Sequence, residues 1–325
     1  MTADVPEHLV ILPPNWLGDV IMAQPAMRAF CDFHKDARIT LAGRPWLSDL
    51  APFLGLGNVS YAEKVPKGAD YVVLFPNSFS SAWRVFRSGS SNRIGFRGQW
   101  RSLLLNQGYT PKLDMICEHH RDYFLDLVQQ AGIPIKQREV ELSAKAFDIE
   151  EGENLIQSHG LDPKKTICIA PGAQFGGAKR YPSESYRHVI KWLSEAGWQV
   201  LILGTPAERE IGEACLADTS SPSWNSSGDT SLKQALQIIS ACQLLLCNDS
   251  GLMHVAAGMG RAVVGIFGAT DPERTAPSGS QIKLLYHPAS CSPCLKRECS
   301  VPGHPCMGNI LPETVRDSCL EMLLK

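Results

Sequence analysis

The segment at residues 171–182 carries residue types that bind phosphate. It reads Pro-Gly-Ala-Gln-Phe-Gly-Gly-Ala-Lys-Arg-Tyr-Pro and follows an apolar run that ends at Ala170. Its glycines let the backbone approach a ligand closely, and Lys179 and Arg180 offer cationic donors to phosphate oxygens. The segment therefore predicts a phosphate-binding loop, although its spacing differs from that of a Walker motif. The alternative is an ordinary glycine-rich connection with surface Lys and Arg.

A second anion-binding signal lies at residues 248–254, which read Asn-Asp-Ser-Gly-Leu-Met-His. This pattern is typical of an N-capped helix start, whose backbone N–H groups bind pyrophosphate. His254 follows Ser250 by four residues, so it lies on the same helix face one turn later and within reach of the same ligand. The alternative is a well-capped helix with a purely structural role.

Asp19 is a candidate for proton transfer. It follows an apolar run at residues 9–12 and the residues Pro-Pro-Asn-Trp-Leu-Gly, so it lies where a strand passes into a helix. A carboxylate at such a position can face a cleft and act as a base. The same position also suits an Asp that caps the helix start and complements the helix dipole, and that role would make it a weaker base.

A basic segment occupies residues 84–101. Phe86, Phe96 and Trp100 are interleaved with its arginines, and the segment contains no acidic residue. Its arginines are Arg84, Arg87, Arg93, Arg97 and Arg101. Such a run can bind an anionic partner locally, and the alternative is a solvated basic face.

These candidates follow apolar runs that alternate with helical patterns. In the first half, runs at 9–12, 38–42 and 71–75 alternate with helical patterns at 20–30 and 78–86. In the second half, runs at 166–170, 199–203, 244–247 and 262–267 alternate with helical patterns at 183–196, from 207, at 231–241 and at 251–258. The alternation predicts two parallel α/β sheets in tandem, whose ligands lie in a shared cleft outside the carboxyl ends of the strands. A charged stretch at 148–165 puts the boundary near residue 160.

The composition excludes several classes of protein. The chain has 325 residues, 44% hydrophobic and 20% charged, so it can bury a core and is not disordered. With 31 basic and 33 acidic residues its net charge is −2, which gives no global attraction to nucleic acid. Its apolar runs are too short to span a bilayer, and residues 1–8 do not fit a secretory signal, so we expect a cytoplasmic protein. Neither half has a Gly-x-Gly-x-x-Gly fingerprint after its first strand, which disfavours a dinucleotide oxidoreductase.

The chain contains eleven cysteines, and six of them lie scattered through apolar segments where Cys behaves as a small hydrophobe. These six are Cys31, Cys117, Cys168, Cys215, Cys242 and Cys247. A disulfide framework is therefore not expected. The spacing of Cys291, Cys294, Cys299 and Cys306 is compatible with a structural zinc site, but it becomes irregular after the first pair. Free thiols in a cytoplasmic loop are the favoured interpretation.

Four segments in order resemble the lipopolysaccharide heptosyltransferases of glycosyltransferase family 9. They are residues 15–19 (Asn-Trp-Leu-Gly-Asp), 76–79 with 93–98 (Pro-Asn-Ser-Phe and Arg-Ile-Gly-Phe-Arg-Gly), 171–182 and 248–254. The resemblance extends over nearly the whole chain, and four motifs in the same order are far more specific than one.

The resemblance implies a GT-B fold, in which two Rossmann-like domains face each other across a cleft. Residues 1–160 would bind the acceptor and residues 161–325 the ADP-sugar. The implied activity is inverting, metal-independent transfer of L-glycero-D-manno-heptose from ADP-heptose to heptosyl-Kdo2-lipid A, as the second heptose of the lipopolysaccharide inner core. In keeping with this, the chain lacks the Asp-x-Asp pair of metal-dependent glycosyltransferases.

The resemblance also assigns roles to single residues. Asp19 is the implied catalytic base, and the implied acceptor-binding residues are Asn15, Trp16, Asn77, Arg93 and Arg97. In the donor site, Lys179 would bind the diphosphate, Glu208 the ribose, Thr230 the adenine through its backbone, and Asp249, Ser250, Gly251 and His254 the heptose and phosphate.

The implied acceptor is lipid-linked, and its carboxylates and phosphates suit bidentate pairing with Arg. Attachment to the inner membrane would then be peripheral, through basic and aromatic surface. Two alternatives remain: a sister enzyme of the heptosyltransferase I or III type with another acceptor or donor sugar, and a non-catalytic nucleotide-sugar-binding protein.

Overall fold

A computed structural model describes residues 6–324 of the chain. The chain divides into two compact units, residues 1–143 and 144–325. The expectation against a secretory signal rests partly on residues 1–5, which lie outside the described residues.

Within the described part of the first unit, six strands form one parallel sheet. They are β1 (His8–Leu12), β2 (Arg38–Ala42), β3 (Val59–Ala62), β4 (Tyr71–Leu74), β5 (Asn92–Phe96) and β6 (Gln107–Tyr109). Their order is β3-β2-β1-β4-β5-β6. The helices are α1 (Leu17–Met22), α2 (Gln24–Phe33), α3 (Leu47–Leu50), α4 (Phe79–Arg87) and α5 (His120–Gln130). Every residue of β1 is buried, as in a central parallel strand covered on both faces.

The predicted helical pattern at 20–30 is divided between α1 and α2. Pro25 occupies the first turn of α2, where the missing N–H of a proline costs no helical hydrogen bond. Ala23 therefore ends α1 and begins α2.

The second unit repeats the same doubly wound plan within its described residues. Its strands are β7 (Thr166–Ala170), β8 (Gln199–Ile202), β9 (Ser223–Asn225), β10 (Leu244–Asn248), β11 (Ala262–Phe267) and β12 (Ile282–Tyr286), in the parallel order β12-β11-β10-β7-β8-β9. Its helices are α6 (Ala146–Ser158), α7 (Ser183–Glu195), α8 (Arg209–Leu216), α9 (Leu232–Ala241), α10 (Gly251–Gly258), α11 (Pro272–Thr275), α12 (Pro305–Gly308) and α13 (Pro312–Leu323). The core joins the sheet to α7 and α13.

The first compact unit ends at residue 143, whereas the sequence pattern puts the domain boundary near residue 160. The difference is α6, which belongs to the second unit because it packs along α9. Nε2 of Gln237 donates to the buried carboxylate of Asp148 at 3.4 Å, and Ile156 of α6 is fully buried. The outer face of α6 is charged, whereas its inner face is buried against α9. A search for charged linkers in the sequence does not detect this buried face.

The α/β class predicted from the sequence is confirmed, since each unit is a Rossmann-like parallel sheet with helices. Among the described residues, no helix is long and apolar enough to cross a bilayer.

Candidate active site

The donor candidates follow the carboxyl ends of strands in the second sheet. From β7 the chain continues outward through β8 and β9, then crosses to the other side of β7 for β10, β11 and β12. The strand order therefore reverses between β7 and β10, and doubly wound sheets bind ligands outside the carboxyl ends of the strands at such a reversal. Lys179 follows β7 and Asp249 follows β10, so these two residues flank the reversal.

Lys179 and Asp249 form an ion pair at this point. Nζ of Lys179 lies 2.5 Å from Oδ2 of Asp249, and the hydroxyl of Thr270 donates to the same oxygen at 2.5 Å. Asp249 is only 5% exposed, so the two bonds offset the cost of burying its carboxylate. An ammonium group has three N–H donors, so the bond to Asp249 leaves donors for phosphate oxygens. Sequence reasoning missed Thr270, which follows β11.

Asn248, the last residue of β10, fixes the position of the loop at residues 171–182, the predicted phosphate loop. Its side chain is fully buried and makes four hydrogen bonds. Its Oδ1 accepts from the N–H of Tyr181 and the hydroxyl of Tyr186 at 3.0 Å each, and its Nδ2 donates to the carbonyls of Pro171 at 2.7 Å and Gly172 at 3.1 Å. Because both ends of the loop are tied to β10, Lys179 is held beside Asp249. The signal that could have found Asn248 is a polar residue that ends an otherwise apolar strand.

Glu208 lies beside the same loop. It ends a short 3-10 turn, Pro206–Glu208, and its Oε2 accepts from the N–H and the hydroxyl of Thr205, both at 2.8 Å. Oε1 of Glu208 lies against Gly172, where an added Cβ would be 2.0 Å from that oxygen. Glycine at 172 therefore allows the ribose candidate to lie next to the phosphate loop.

The segment at residues 291–306, which contains four cysteines, packs against the predicted phosphate loop. The N–H of Ala178 donates to the carbonyl of Arg297 at 2.9 Å, and Nε2 of His304 lies 3.0 Å from the carbonyl of Ala178. Gly176 has a φ of 152°, and an added Cβ there would lie 2.2 Å from the Arg297 carbonyl oxygen. This segment therefore supports the loop that carries Lys179.

The cysteines themselves do not assemble into a metal centre. Among residues 6–324, no three or more His, Cys, Asp or Glu side chains form a group that could hold a metal ion. All eleven cysteines are free of disulfides, and Cys306 is buried, which raises the pKa of its thiol. Of the six scattered cysteines, Cys117 is exposed, so its expected place in an apolar segment is wrong.

The remaining donor candidates lie at two helix starts. Thr230 precedes Ser231, whose side chain caps α9 by accepting from the N–H of Gln234 at 3.2 Å. The helix predicted to begin at Gly251 is confirmed as α10, but Ser250 makes no side-chain cap bond to it. His254 lies one turn into α10 and is only 4% exposed.

Asp19 follows β1 in the first unit, where the strand order reverses between β1 and β4. It lies in the first turn of α1 and its side chain is 27% exposed. Within the described residues this helix start has no side-chain cap, but Asp19 lies in its first turn, where a carboxylate complements the helix dipole. Oδ1 of Asp19 lies 3.4 Å from Nδ1 of His120, the first residue of α5. Sequence reasoning missed His120, which carries no local motif.

A cavity of about 270 Å³ opens at the same edge of the first sheet. Asn15, Arg44, Trp46 and Arg84 contribute to its lining, together with apolar residues and glycine. The cavity thus has two guanidinium groups and no carboxylate in its lining, which suits an anionic ligand group. Trp16, beside Asn15, is 47% exposed.

The other acceptor candidates differ in how far their side chains are engaged. Nδ2 of Asn77 donates to the hydroxyl of Tyr123 at 2.6 Å. Arg93 donates from Nε to the carbonyl of Leu104 at 2.7 Å and from Nη1 to that of Ser90 at 2.6 Å, so much of its guanidinium holds the surrounding loops. Arg97 is exposed.

Arg101, at the end of the basic segment, is buried instead of solvated. It is 3% exposed, its Nη2 donates to the carbonyl of Arg97 at 3.0 Å, and burial lowers the pKa of its guanidinium. The basic segment is therefore not one uniform surface.

The chain is similar to known proteins across both of its units. The sequence profile of glycosyltransferase family 9 (heptosyltransferase) matches residues 61–304. The chain is 28% identical to lipopolysaccharide heptosyltransferase 2 of Escherichia coli K12, over 98% of this chain and 99% of that protein.

Solved structures agree with the sequence comparison. The structure of E. coli ADP-heptose lps heptosyltransferase II has a TM-score of 0.81 and 26% identity, and covers 98% of both chains. E. coli heptosyltransferase WaaC with ADP shares the fold, with a TM-score of 0.73 and 16% identity over 97% of this chain and 99% of that chain. The expected GT-B fold class is thereby confirmed. Since the family profile covers most of the chain, this protein belongs to glycosyltransferase family 9, the heptosyltransferases.

Proposed function

We propose that this protein transfers L-glycero-D-manno-heptose from ADP-heptose to heptosyl-Kdo2-lipid A, adding the second heptose of the lipopolysaccharide inner core with inversion. The observation that carries the proposal is the Lys179–Asp249 pair at the strand reversal of the second sheet, with Glu208 beside the same loop. The likeness to E. coli heptosyltransferase 2 over nearly the full length of both chains supports this choice of substrates.

In the donor site, a diphosphate lies against Lys179 and the start of α10 at Ser250 and Gly251. The ammonium group and the backbone N–H groups stabilise the negative charge that develops on the departing ADP. Glu208 binds the ribose and the backbone at Thr230 binds the adenine. Asp249 and His254 border the heptose, and the fold shared with an ADP-bound heptosyltransferase supports an adenine nucleotide here.

Asp19 is the base in this proposal. An acceptor hydroxyl gives its proton to Asp19 while its oxygen forms a bond to the anomeric carbon. The bond from that carbon to the diphosphate oxygen breaks on the opposite face, and ADP leaves with the electron pair. Inversion follows from this single in-line displacement. Lys179 supplies the positive charge at the leaving group, so the proposed reaction is independent of metal.

The acceptor binds to residues of the first unit. Asn15 borders the cavity whose lining includes Arg44 and Arg84, which suits a carboxylate or phosphate of the inner core, and the neighbouring Trp16 is 47% exposed. Arg97 offers an exposed guanidinium, Arg93 holds the loops at Ser90 and Leu104, and Asn77 donates to Tyr123 of α5. In this proposal the first unit binds the acceptor and the second unit, which includes α6, binds the ADP-sugar, in the cytoplasm on the inner membrane face.

The decisive experiment incubates the purified protein with ADP-heptose and a series of truncated core acceptors. Transfer to heptosyl-Kdo2-lipid A, with none to Kdo2-lipid A, supports the proposal. Transfer to Kdo2-lipid A or to a longer core instead indicates a sister enzyme. Binding of ADP-heptose without transfer to any acceptor indicates a non-catalytic protein.

A further inference from the structure

The helix α4 presents a row of aromatic side chains to solvent. Phe79, Trp83 and Phe86 are 46%, 44% and 44% exposed. Their spacing of four and then three residues puts them on one helix face. The rings of Phe79 and Trp83 stack with centroids 6.4 Å apart, and those of Trp83 and Phe86 with centroids 5.8 Å apart. We refer to these three residues as the aromatic ridge.

The first unit does not use the aromatic ridge for its own core. The residues that α4 buries are small, namely Ser81, Ala82 and Val85, while the larger aromatic side chains point outward. A helix in a globular unit normally directs its largest apolar residues inward. The opposite arrangement leaves a contiguous apolar surface of the kind that marks an interaction site.

A row of positive charge runs beside the ridge. Arg84 and Arg87 are both exposed on α4, one residue after Trp83 and Phe86 respectively. Between Asp70 and Asp114 the sequence contains no acidic residue, although the whole chain has more acidic than basic residues. The surface around α4 is therefore locally basic in a protein whose net charge is −2.

Two further apolar side chains lie near α4. The 3-10 turn at Arg101–Leu103 packs against α4, and it follows Trp100, which is 80% exposed. Leu103, within the turn, is 79% exposed. These side chains extend the exposed apolar surface beyond the helix.

We propose that the aromatic ridge and the flanking arginines dock this protein on an anionic phospholipid bilayer, with α4 lying in the plane of the headgroups. Aromatic side chains favour the interfacial zone of a bilayer, and arginines beside them pair with anionic headgroups. This inference rests on the proposed function, in which a lipid-linked acceptor brings the protein to a membrane, and it assigns the membrane contact to α4.

The test is co-sedimentation with vesicles of phosphatidylethanolamine and phosphatidylglycerol. The wild-type protein is expected to bind these vesicles and to bind phosphatidylcholine vesicles at least about 10-fold more weakly. The variant F79S/W83S is expected to lose at least about 10-fold in vesicle affinity. Arg87→Gln is expected to lose less vesicle affinity than F79S/W83S, and its difference from the wild type is expected to disappear at high salt.

A matched control replaces Phe147, which is 61% exposed on α6 of the second unit. Phe147→Ser is expected to sediment like the wild type, and circular dichroism verifies that every variant is folded. Equal sedimentation of F79S/W83S and wild type would overturn the proposal. The proposal would also be overturned if the wild type did not bind anionic vesicles but dimerised through the aromatic ridge. A second copy of the chain would then be the occupant.

Activity assays separate this inference from the proposed function. With a deacylated, water-soluble acceptor, F79S/W83S is expected to transfer heptose at the wild-type rate, since neither residue belongs to the proposed site. With the acceptor embedded in vesicles, the variant is expected to be at least about 10-fold slower. If the wild type transfers heptose to neither acceptor, the proposed function is refuted and the vesicle-binding result is unaffected. If F79S/W83S and the wild type have equal rates on the vesicle-embedded acceptor, the docking surface is refuted.

Discussion

Nδ1 of His120 lies 3.4 Å from Oδ1 of Asp19, which links the first residue of α5 to the first turn of α1. Nε2 of His120 is buried and has no hydrogen-bond partner among residues 6–324. A neutral imidazole has one N–H, and directing it from Nδ1 to the carboxylate leaves only a lone pair at Nε2. In this tautomer Nδ1–H donates to Asp19, so we expect His120 to orient the carboxylate as a positioning residue.

Asp19→Asn is expected to abolish most of the transfer activity while leaving donor affinity intact. A general base contributes roughly 10²–10⁴-fold to a rate, and the isosteric amide cannot accept the proton. Turnover assays give the rate, and isothermal titration with ADP-heptose gives the affinity. Asp36→Asn, at an exposed position, serves as the control. Wild-type turnover in Asp19→Asn would remove the base assignment.

His120→Ala is expected to lower kcat by about 10-fold without changing the KM for ADP-heptose, because the carboxylate loses its orientation but the donor site is untouched. His120→Asn, whose side-chain N–H can still donate to the carboxylate, is expected to recover part of the kcat, which a purely structural role would not predict. The exposed His287 provides the control variant His287→Ala. A wild-type kcat in His120→Ala would argue against the positioning role.

Lys179→Met is expected to weaken ADP binding by about 10–100-fold, the effect of losing a charged hydrogen bond of about 1.5–3 kcal/mol. It also leaves the buried carboxylate of Asp249 without its cation, so the Tm is expected to fall. The double variant Lys179→Met with Asp249→Asn is expected to recover stability but not ADP affinity. Recovery of both by the double variant would show that Lys179 acts only on the fold.

Gly172→Ala is expected to weaken ADP binding through Glu208, because the new methyl group would overlap the carboxylate oxygen. The effect is expected to be non-additive with removal of that carboxylate. Titration with ADP would then find similar affinities for Glu208→Ala and for the double variant Gly172→Ala with Glu208→Ala. Strictly additive losses would indicate that Gly172 acts on the ligand independently.

Acidification is expected to destabilise the first unit through His8. Burial lowers the pKa of His8 below its ordinary value of 6.5, with a further contribution from Arg38. Since an arginine only donates, Nδ1 of His8 accepts from Arg38 at 2.8 Å, and a proton there would break the bond. The unfolded chain therefore binds the proton more readily. The free energy of unfolding is expected to be at its full value above pH 6.5 and to fall as the pH drops from 6.5 toward the folded-state pKa.

Urea unfolding across that pH range measures this dependence. His8→Gln cannot titrate and is expected to flatten the curve. His34, whose pKa is also lowered by burial, adds a change in the same direction that remains in the variant. An unchanged slope in His8→Gln would contradict the assignment, and the exposed His287→Gln is the control.

The sequence by itself determined the α/β class, the connection that follows β7 and several elements to the residue. The predicted bounds of β2, β7, α10 and β11 agree with the structure. These elements are recognisable because apolar periodicity and capping or turn residues act over a few positions, within the reach of a local pattern.

The tertiary structure alone decided which of these residues meet. Asp19 and His120 are 101 positions apart, and Lys179 and Asp249 are 70 positions apart, so no local pattern relates either pair. The strand order brings Lys179 to Asp249, because it puts β7 beside β10, and the packing of α5 against α1 and α2 brings His120 to Asp19. Likewise, the burial of Arg101 and the exposure of the aromatic ridge depend on how α4 and the following turn pack. The residue types alone would equally permit a solvated Arg101 and buried aromatic side chains.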